Sequence, residues 1–407
     1  MSMIVLALRN LFRHWKRTAI ALAAIGFGVI ALLLAGGFID WIFWGMREGA
    51  IQSRLGHIQI TRPGYFETGS ADPFAYLLPD QLNEEEIIGL RPEIRVITPR
   101  LAFNGLISHG DVTIGFSGEG VDPEKEASVS QHLIITKGEN LGPDDPTGLL
   151  LGAGLADNLG VTVGDSVVLL ANTASGGLSG VEGPVRGLFQ SASKAFDDAA
   201  LRVPVDTARS LLRVSSAHSW VLLLDETEKT DEVLLYLQER FPVSESGLQF
   251  TPWYALADFY NKTVALLSRQ MSVVQLIIAL IIVLSISNTL VMSVLERTGE
   301  TGTLMAIGVR RRRILHMFVT EGLLLGVIGG LGGVAVGGLL AMVISAVGIP
   351  MPPPPGMDVG FSGKILLSWP LIAGVMALAI GTTLLASLYP AWKASRLEIV
   401  NALRHNR

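Results

Sequence analysis

The segment MSVVQLIIALIIVLSISNTLVMSVL, residues 271–295, contains no charged side chain over twenty-five positions. The hydrocarbon core of a bilayer is roughly 30 Å thick, and about 20 mostly apolar residues in a helix are enough to cross it. The segment therefore predicts a membrane-spanning helix, and residues 18–44, 314–347 and 365–392 are likewise long and mostly apolar. Basic residues precede the first stretch, but it is too long for a signal peptide and no small-residue cleavage site follows, so we interpret it as a retained helix.

Composition agrees with a membrane protein. The 407 residues are 49% hydrophobic and 16% charged, and the mean hydropathy is +0.47. Charged residues normally make up about a quarter of a chain, so these values argue against a disordered chain or an ordinary soluble protein. The absence of cysteine excludes structural disulfides, thiol catalysis and cysteine-bound iron–sulfur clusters.

The distribution of charge predicts the orientation. Residues 1–17, residues 296–313 and the segment after Trp392 together hold thirteen Lys or Arg residues and three acids. Residues 45–264 hold sixteen basic and thirty acidic residues. Basic residues concentrate in the short cytoplasmic loops of membrane proteins. We therefore expect both termini to be cytoplasmic and residues 45–264 to form one acidic domain outside.

The outer segment is predicted to be mixed α/β. Short apolar patterns typical of strands occur at residues 57–61, 94–98, 149–151, 166–171 and 222–225. Helical spacing is present at residues 81–90, 206–212 and 229–241. Glycine turns and short strands are concentrated at about 110–201, which indicates an inserted β-rich subdomain, and the Gly/Ser-rich residues 174–187 are expected to form an exposed hairpin or flap.

The sequence offers little catalytic chemistry. The seven histidines are scattered and no two have the spacing of metal ligands. No complete nucleophile elbow, dinucleotide loop or phosphate-binding loop is present. We therefore expect no catalytic residue, no cofactor and no metal bound by this chain, and if nucleotide energy is used, another chain must bind the nucleotide.

The most informative segment is 296–313, which ends in four consecutive arginines. It predicts a short helix that Thr301 or Thr303 caps and Gly308 ends, with Leu304, Met305 and Ile307 on one apolar face. Such a helix between two spans suits a groove of a cytosolic partner. Contact of its arginines with lipid headgroups is an equally good interpretation of the residues alone.

An ordered set of motifs resembles the FtsX-like, MacB-type permease family of ABC transporters, with a layout closest to the lipoprotein-releasing permeases. The motifs are Asn288-Thr289-Leu290, Glu296-Arg297-Thr298, Glu300 with Gly302, Ala306-Ile307-Gly308, Glu321-Gly322, Tyr389-Pro390-Ala391 and Ala402-Leu403-Arg404. In the outer segment, residues 56–60 and 155–160, followed by Val163-Gly164-Asp165, also resemble the family. The resemblance covers nearly the whole chain.

The resemblance implies a membrane protein with four transmembrane α-helices and a large α/β extracytoplasmic domain between helices 1 and 2, made of a porter-like part and a β-rich insertion. It implies a bacterial inner-membrane permease that works by mechanotransmission on a lipidated or amphiphilic cargo such as a lipoprotein. ATP and Mg would be held by two copies of a cytoplasmic ABC ATPase. A second permease subunit, identical or paralogous, and a periplasmic adaptor or acceptor lipoprotein are further expected partners, together with membrane lipids but no nucleic acid. The alternatives are regulation of an extracytoplasmic wall hydrolase and MacB-like efflux of another cargo.

The resulting division assigns nine segments. They are an amphipathic N-terminal helix at 1–17, the first span at 18–44, the outer domain at 45–264, a stalk and second span at 265–295, the coupling segment at 296–313, the third span at 314–347, a proline-rich outer loop at 348–364, the fourth span at 365–392 and a tail at 393–407.

Four groups of site residues follow. The residues expected to couple to the ATPase are Glu296, Arg297, Glu300, Leu304, Met305, Ile307, Arg310 and Arg311. An apolar cargo cavity near the outer membrane surface is expected from Phe38, Trp41, Ile42, Met46, Val273 and Ile277. Small residues that allow close helix packing are Gly322, Gly326 and Gly330 on one ridge, and Gly329, Gly333 and Gly337 on the next. Glu321 and Asn288 are the polar residues inside the membrane, and a structural partner or a position at headgroup level is favoured over proton coupling for Glu321.

Overall fold

The computed structural model describes residues 9–10, 13, 15–69, 72–79, 87, 91–131, 133–191, 194–352 and 361–396. Apart from Ile87, the predicted helix at 81–90 lies outside these residues, as do residues 1–8, residues 353–360 of the proline-rich loop and the tail from 397 onward. The chain divides into a helical unit, drawn from residues 1–44, 263–351 and 362–407, and an α/β unit, drawn from 45–262 and 352–361.

Helices occur in both units. In chain order they are α1 Trp15–Ala50, which continues as a π-helix at Ile51–Leu55, α2 Tyr65–Thr68, α3 Pro123–Val129, α4 Ala153–Leu159, α5 Lys194–Asp197, α6 Val205–Leu212, α7 Thr230–Arg240, α8 Val243–Ser246, α9 Trp253–Leu256, α10 Asp258–Glu296, α11 Thr298–Ala306, α12 Arg311–Val347 and α13 Trp369–Ser395. Two short 3-10 helices lie at Pro73–Tyr76 and Thr227–Lys229.

The strands belong to a ten-stranded sheet and a small hairpin. They are β1 Ile58–Thr61, β2 Ile94–His109, β3 Val112–Val121, β4 Ile134–Gly138, β5 Leu149–Gly152, β6 Ser166–Asn172, β7 Leu178–Gln190, β8 Ala200–Pro204, β9 Ser219–Leu224, β10 Gln249–Pro252, β11 Ile349–Met351 and β12 Phe361–Gly363. The large sheet has the order β10-β1-β9-β2-β3-β8-β5-β7-β4, with β6 paired to β2 and β7, and β11 pairs with β12. Pairs β3–β8 and β5–β7 are parallel.

Four helices among the described residues are long and apolar enough to cross a membrane, namely α1 with its extension to Leu55, α10, α12 and α13. The fourth begins at Trp369, four residues later than the predicted start of the span at 365. The reason is local: Ser368 caps the helix by accepting a hydrogen bond from the Leu371 N–H at 3.3 Å, and Pro370 occupies the first turn.

Glycines of α12 allow two other helices to approach closely. A Cβ added at Gly322 would lie 2.6 Å from the Cβ of Ser387 in α13. On the neighbouring ridge, a Cβ at Gly333 would lie 2.7 Å from the Cβ of Val29 in α1. The two ridges therefore face two different helices of the same chain. The remaining ridge residues Gly326 and Gly330 meet side chains of α13, and Gly329 and Gly337 meet those of α1.

The α/β unit has two main apolar cores. One joins β1, β9 and β10 to α7 and includes Ile60, Trp220 and Leu237. The other spans Leu101 to Leu212 and lies in the β-rich part. It extends beyond the predicted insertion at about 110–201 because β2 is a single strand of sixteen residues that contributes to both cores.

Residues 174–187 form a hairpin in which the loop is shorter than expected. Ala171 of β6 pairs with Ser179 of β7, and the Thr173 N–H donates to the Gly177 carbonyl at 2.7 Å. The exposed part of the turn is therefore confined to residues 174–177, and most of the Gly/Ser-rich segment is strand.

Candidate functional site

The segment between α10 and α12 folds as the short helix α11, which begins at Thr298. This start is earlier than the predicted cap at Thr301 or Thr303, because the Thr301 N–H donates to the Arg297 carbonyl at 2.9 Å and closes the first turn there. The end is confirmed at Gly308, whose φ is +96°. The Val309 N–H then returns to the Leu304 carbonyl at 3.0 Å, as expected for a glycine-terminated helix.

The apolar residues of α11 do not share one face. Met305 is 8% exposed and packs in a core with Val294 and Phe318. Leu304 and Ile307, three residues apart, are 37% and 77% exposed. The expectation of a single apolar face is wrong because Met305 lies about 100° around the helix from Leu304, on the side that faces the core.

A docking face therefore remains on the outside of this segment. It consists of Leu304, Ile307, Arg310 and Arg311, all of which are exposed. It combines two apolar side chains with two cations, which suits a protein groove with acidic edges. Met305, which was expected to take part in the contact, instead holds α11 against the helical unit.

Arg297, at the junction of α10 and α11, is buried in an ion pair. Its Nη1 lies 2.8 Å from Oε1 of Glu321, and the two residues are 7% and 3% exposed. The Asn10 amide donates to the same carboxylate oxygen at 2.7 Å, and the Arg297 guanidinium lies 5.6 Å from the centre of the Phe318 ring. The charge of Glu321 is thus compensated within the chain, and α12 is bound to the junction through this pair.

The N-terminal segment contributes further ion pairs. Arg13 Nη1 lies 2.7 Å from Glu300 Oε1, and Arg17 pairs with Glu296. Burial disfavours the charge of Glu300, but hydrogen bonds and attraction from Arg297 and Arg13 hold the pKa of Glu300 below its usual range. We call the seven residues of these contacts the coupling network: Asn10, Arg13, Arg17, Glu296, Arg297, Glu300 and Glu321.

Sequence reasoning singled out Glu296, Arg297, Glu300 and Glu321 but not their partners in the N-terminal segment. Arg13 is 287 positions from Glu300, and Asn10 is 311 positions from Glu321. The only available signal was complementary charge, because residues 1–17 carry four basic residues and no acid.

A small cavity of about 30 Å³ lies beside Glu321. Its polar lining is formed by Asn10, Arg17, Thr18, Thr289, Ser293 and Glu321. The volume is enough to hold an ordered water molecule. Asn288, the other polar residue expected inside the membrane, is exposed on α10 and does not line this cavity.

The residues expected to form a cargo cavity are split between two faces. Val273 and Ile277 are 57% and 51% exposed on α10. The face of α10 that packs on α1 is formed instead by Ile278 and Ile282, whose side chains surround Gly28. On α1, Phe38 and Trp41 stack on each other at 6.1 Å, and Ile42 and Met46 are half-buried. Val273 and Ile277 thus lie outside the face of α10 that packs on α1, and the cargo cavity stays a prediction.

Comparison with known families gives two matches along the chain. Residues 18–239, more than half of the 407 residues, match the MacB-like periplasmic core domain, and residues 272–399 match the C-terminal part of FtsX-like permeases. The chain belongs to the FtsX-like, MacB-type family of ABC transporter permeases. This membership confirms the fold class, four transmembrane helices with a large α/β domain between the first and second.

The similarity to individual members agrees with this family assignment. The chain is 25% identical over 347 residues to the lipoprotein-releasing system transmembrane protein LolE of Haemophilus influenzae, which covers 79% of this chain and 80% of LolE. It is 26% identical over 311 residues to LolC of Xylella fastidiosa, covering 70% and 72% of the two chains. The macrolide export ATP-binding/permease protein MacB of Bdellovibrio bacteriovorus is 32% identical over 191 residues, 45% of this chain and 26% of MacB. The protein is therefore a multi-pass membrane permease of the LolC/LolE and MacB type.

Proposed function

We propose that this permease transmits the movement of a cytoplasmic ATPase through the membrane to its α/β domain, and that it thereby extracts or exports a lipidated or amphiphilic cargo such as a lipoprotein. ATP and Mg are bound by two copies of the partner ATPase, and this chain itself binds no cofactor and hydrolyses nothing. It pairs with a second permease subunit, identical or paralogous. It resides in the bacterial inner membrane with both termini in the cytoplasm.

The docking face carries this proposal. Leu304, Ile307, Arg310 and Arg311 present apolar and cationic groups at one end of the helical unit. The neighbouring Arg297 is fixed to Glu321 at 2.8 Å, so a displacement of α11 would move α10 and α12 with it. A helix that only touched lipid headgroups would not need a buried ion pair to fix its position.

The lipidated cargo is supported by the apolar outer end of α1 and by the likeness to LolE and LolC. Phe38, Trp41, Ile42 and Met46 offer apolar surface there, and Val273 and Ile277 are exposed on α10. In a dimer, these two surfaces could enclose acyl chains from the outer leaflet. A wall-hydrolase regulator would have no need of such a lining.

The proposal is tested by copurification of the ATPase with the permease and by ATP-dependent release of a lipoprotein. The permease is expressed with its native ATPase and reconstituted in liposomes that contain a triacylated lipoprotein. Charge reversal by Arg310→Glu with Arg311→Glu is expected to reduce both bound ATPase and ATP-dependent release of the lipoprotein by about tenfold, the effect of losing about 1.4 kcal/mol of contact energy. The matched control is Arg240→Glu on the α/β domain, which should change neither.

Three results would contradict the proposal. Undiminished ATPase binding in the charge-reversed variant favours the headgroup interpretation. ATP-dependent activation of a wall hydrolase without lipoprotein release favours the regulator. Release of a soluble cargo in preference to the lipoprotein favours MacB-like efflux.

A further inference from the structure

The end of α1 in the α/β unit has an uncommon form. After Ala50 the helix widens into the π-helix Ile51–Leu55, and Gly56 closes it by donating its N–H to the Ile51 carbonyl at 2.9 Å. The last carbonyls of any helix lack partners within the helix, so those of Ser53, Arg54 and Leu55 must be satisfied from elsewhere. Single π-turns are rare and often lie at functional positions.

Side chains satisfy all three carbonyls. Arg202 Nη2 donates to the Ser53 carbonyl at 3.2 Å, and Arg100 Nη1 donates to the Arg54 carbonyl. The Gln59 amide donates to the Leu55 carbonyl at 3.0 Å. Two of the three donors are therefore guanidinium groups, and cations are favourable at the negative end of a helix dipole.

The two arginines are held by buried acids. Arg100 Nη2 lies 2.5 Å from Glu126 Oε1, and Arg202 lies 3.4 Å from both Glu119 and Glu126. Ser130 joins them by accepting from Arg202 Nη1 at 2.8 Å. The four charged residues are each no more than 8% exposed. We call Arg100, Glu119, Glu126, Ser130 and Arg202 the carbonyl-binding cluster.

Sheet register places three members of this cluster, Arg100, Glu119 and Arg202, on three adjacent strands, and Glu126 and Ser130 lie in and directly after α3. Glu119 of β3 is directly opposite Arg202 of β8 and Ala102 of β2, and Arg100 lies two residues from Ala102. Side chains at such positions share one face of a sheet, so Arg100, Glu119 and Arg202 converge on the end of α1. These strands also carry residues of the β-rich core, such as Leu101 and Val203.

A buried ion cluster is a poor device for stability alone, because apolar side chains of equal volume often serve as well. Its advantage is directional bonding to particular atoms. We propose that the carbonyl-binding cluster fixes the end of α1 to the sheet, so that Arg100 and Arg202 act as positioning residues that transmit displacement of the first transmembrane helix to the β-rich part of the α/β domain. This inference rests on the proposed function, since it concerns how that movement reaches the outer domain.

The test uses pairs of nitroxide labels in the full-length permease bound to its native ATPase. The chain has no cysteine, so introduced cysteines are the permease's only labelling sites. Pair A, Gly49→Cys with Gly142→Cys, reports how firmly the end of α1 is held. Pair B, Gly374→Cys with Gly142→Cys, reports ATP-driven movement of the domain. A Cβ at any of these three glycines meets nothing within 4 Å.

The main variant is Arg100→Met with Glu126→Gln, which removes the donor to Arg54 without leaving a buried charge unpaired. Pair A should change from a narrow to a broad distance distribution, and pair B should lose its ATP-dependent shift while ATP hydrolysis continues. Arg100→Lys retains the charge but loses the separate Nη1 and Nη2 donors that bond the carbonyl and the carboxylate. It should give the same direction of change, and it is the variant to use if the double variant does not fold. Arg186→Gln with Asp145→Asn neutralises another ion pair of the same domain and should leave both pairs of labels unaltered.

The inference is overturned if the cluster variants keep a narrow distance distribution for pair A and the full ATP-dependent shift for pair B. It is also overturned if the Arg186 control loses both the narrow distribution and the shift. A parent complex in which ATP does not move pair B overturns the proposed function, and the transmitting role of the cluster with it. Pair A separates these failures, because it measures the attachment of α1 without nucleotide.

Discussion

At the scale of single residues, the helical unit contains a buried carboxylate whose charge would be unfavourable in the membrane without a partner. Glu321 lies on α12 and is 3% exposed, and the guanidinium of Arg297 at 2.8 Å makes its burial possible. An unpaired carboxylate at the centre of a bilayer costs about 2.5 kcal/mol or more, whereas a paired one is far less unfavourable. Glu321 is thus placed as a structural element of the coupling network.

We predict that Glu321→Gln destabilises the helical unit by about 3 kcal/mol, because Arg297 is left buried with only the more distant Glu300 as a partner. Differential scanning fluorimetry in detergent would measure the loss. Arg297→Met combined with Glu321→Gln should recover part of it, since neither charge then remains. An ATPase activity that acquired a new pH dependence in Glu321→Gln would indicate proton coupling instead.

His57 should make the α/β unit sensitive to acid. Its Nδ1 accepts from the Leu224 N–H at 3.0 Å, and its Nε2 lies 3.0 Å from the Thr227 hydroxyl. Burial lowers the pKa of His57 to about 4, against an ordinary value of 6.5. The unfolded chain therefore binds the proton more readily, so stability is complete above pH 6.5 and decreases as the pH falls toward 4.

Protonation of His57 in the unfolded chain is expected to lower the free energy of unfolding by about 2 kcal/mol between about pH 7.5 and about pH 5. Urea unfolding followed by tryptophan fluorescence would measure this loss. His57→Gln should make the profile in this window less steep but not flat, because burial lowers the pKa of His218 to about 4 as well. A profile as steep as that of the parent would assign the acid sensitivity to other groups.

At the scale of elements, α12 is organised by its glycines. Helix α13 packs closely against one glycine ridge, formed by Gly322, Gly326 and Gly330. Helix α1 packs closely against the other, formed by Gly329, Gly333 and Gly337. Lipid chains are as apolar as leucine, so helices in a membrane gain little from the hydrophobic effect and associate through close packing. The glycines provide that packing within one subunit.

Gly326→Val should therefore destabilise the helical unit by about 1–3 kcal/mol, because the added Cβ would overlap the Thr383 hydroxyl and lie close to the backbone of α13. Thermal unfolding in detergent measures the effect. Gly332→Ala is the matched control, because a Cβ there meets nothing within 4 Å. Equal melting temperatures for both variants would show that the ridge does not determine packing.

At the scale of the whole molecule, the sign of charge differs between the two units. Acids outnumber basic residues thirty to sixteen in residues 45–264, whereas the segments predicted to be cytoplasmic hold thirteen basic residues and three acids. Basic segments are retained on the cytoplasmic side during insertion. The exposed turn at residues 174–177 offers a position to test this orientation.

In intact spheroplasts, a protease site inserted after Gly176 should be cut from outside, and a tag placed after Arg407 should be protected. Immunoblotting of both ends measures the two reactions. Detergent should make the tag accessible, which controls for the activity of the protease. Cleavage of the tag before permeabilisation would refute the orientation.

The sequence by itself determined the four spans, the α/β character of the domain between the first two and the end of α11 at Gly308. These properties depend on neighbours along the chain: apolar length for a span, alternation for a strand, and a residue that tolerates a positive φ for a helix end. Only the tertiary structure decided that Met305 faces the core, that Asn10 and Arg297 bind Glu321 and that Arg100 and Arg202 bind the carbonyls at the end of α1. Such contacts join residues up to 311 positions apart, and side-chain type alone does not specify which of many possible partners the path of the chain brings within hydrogen-bonding distance.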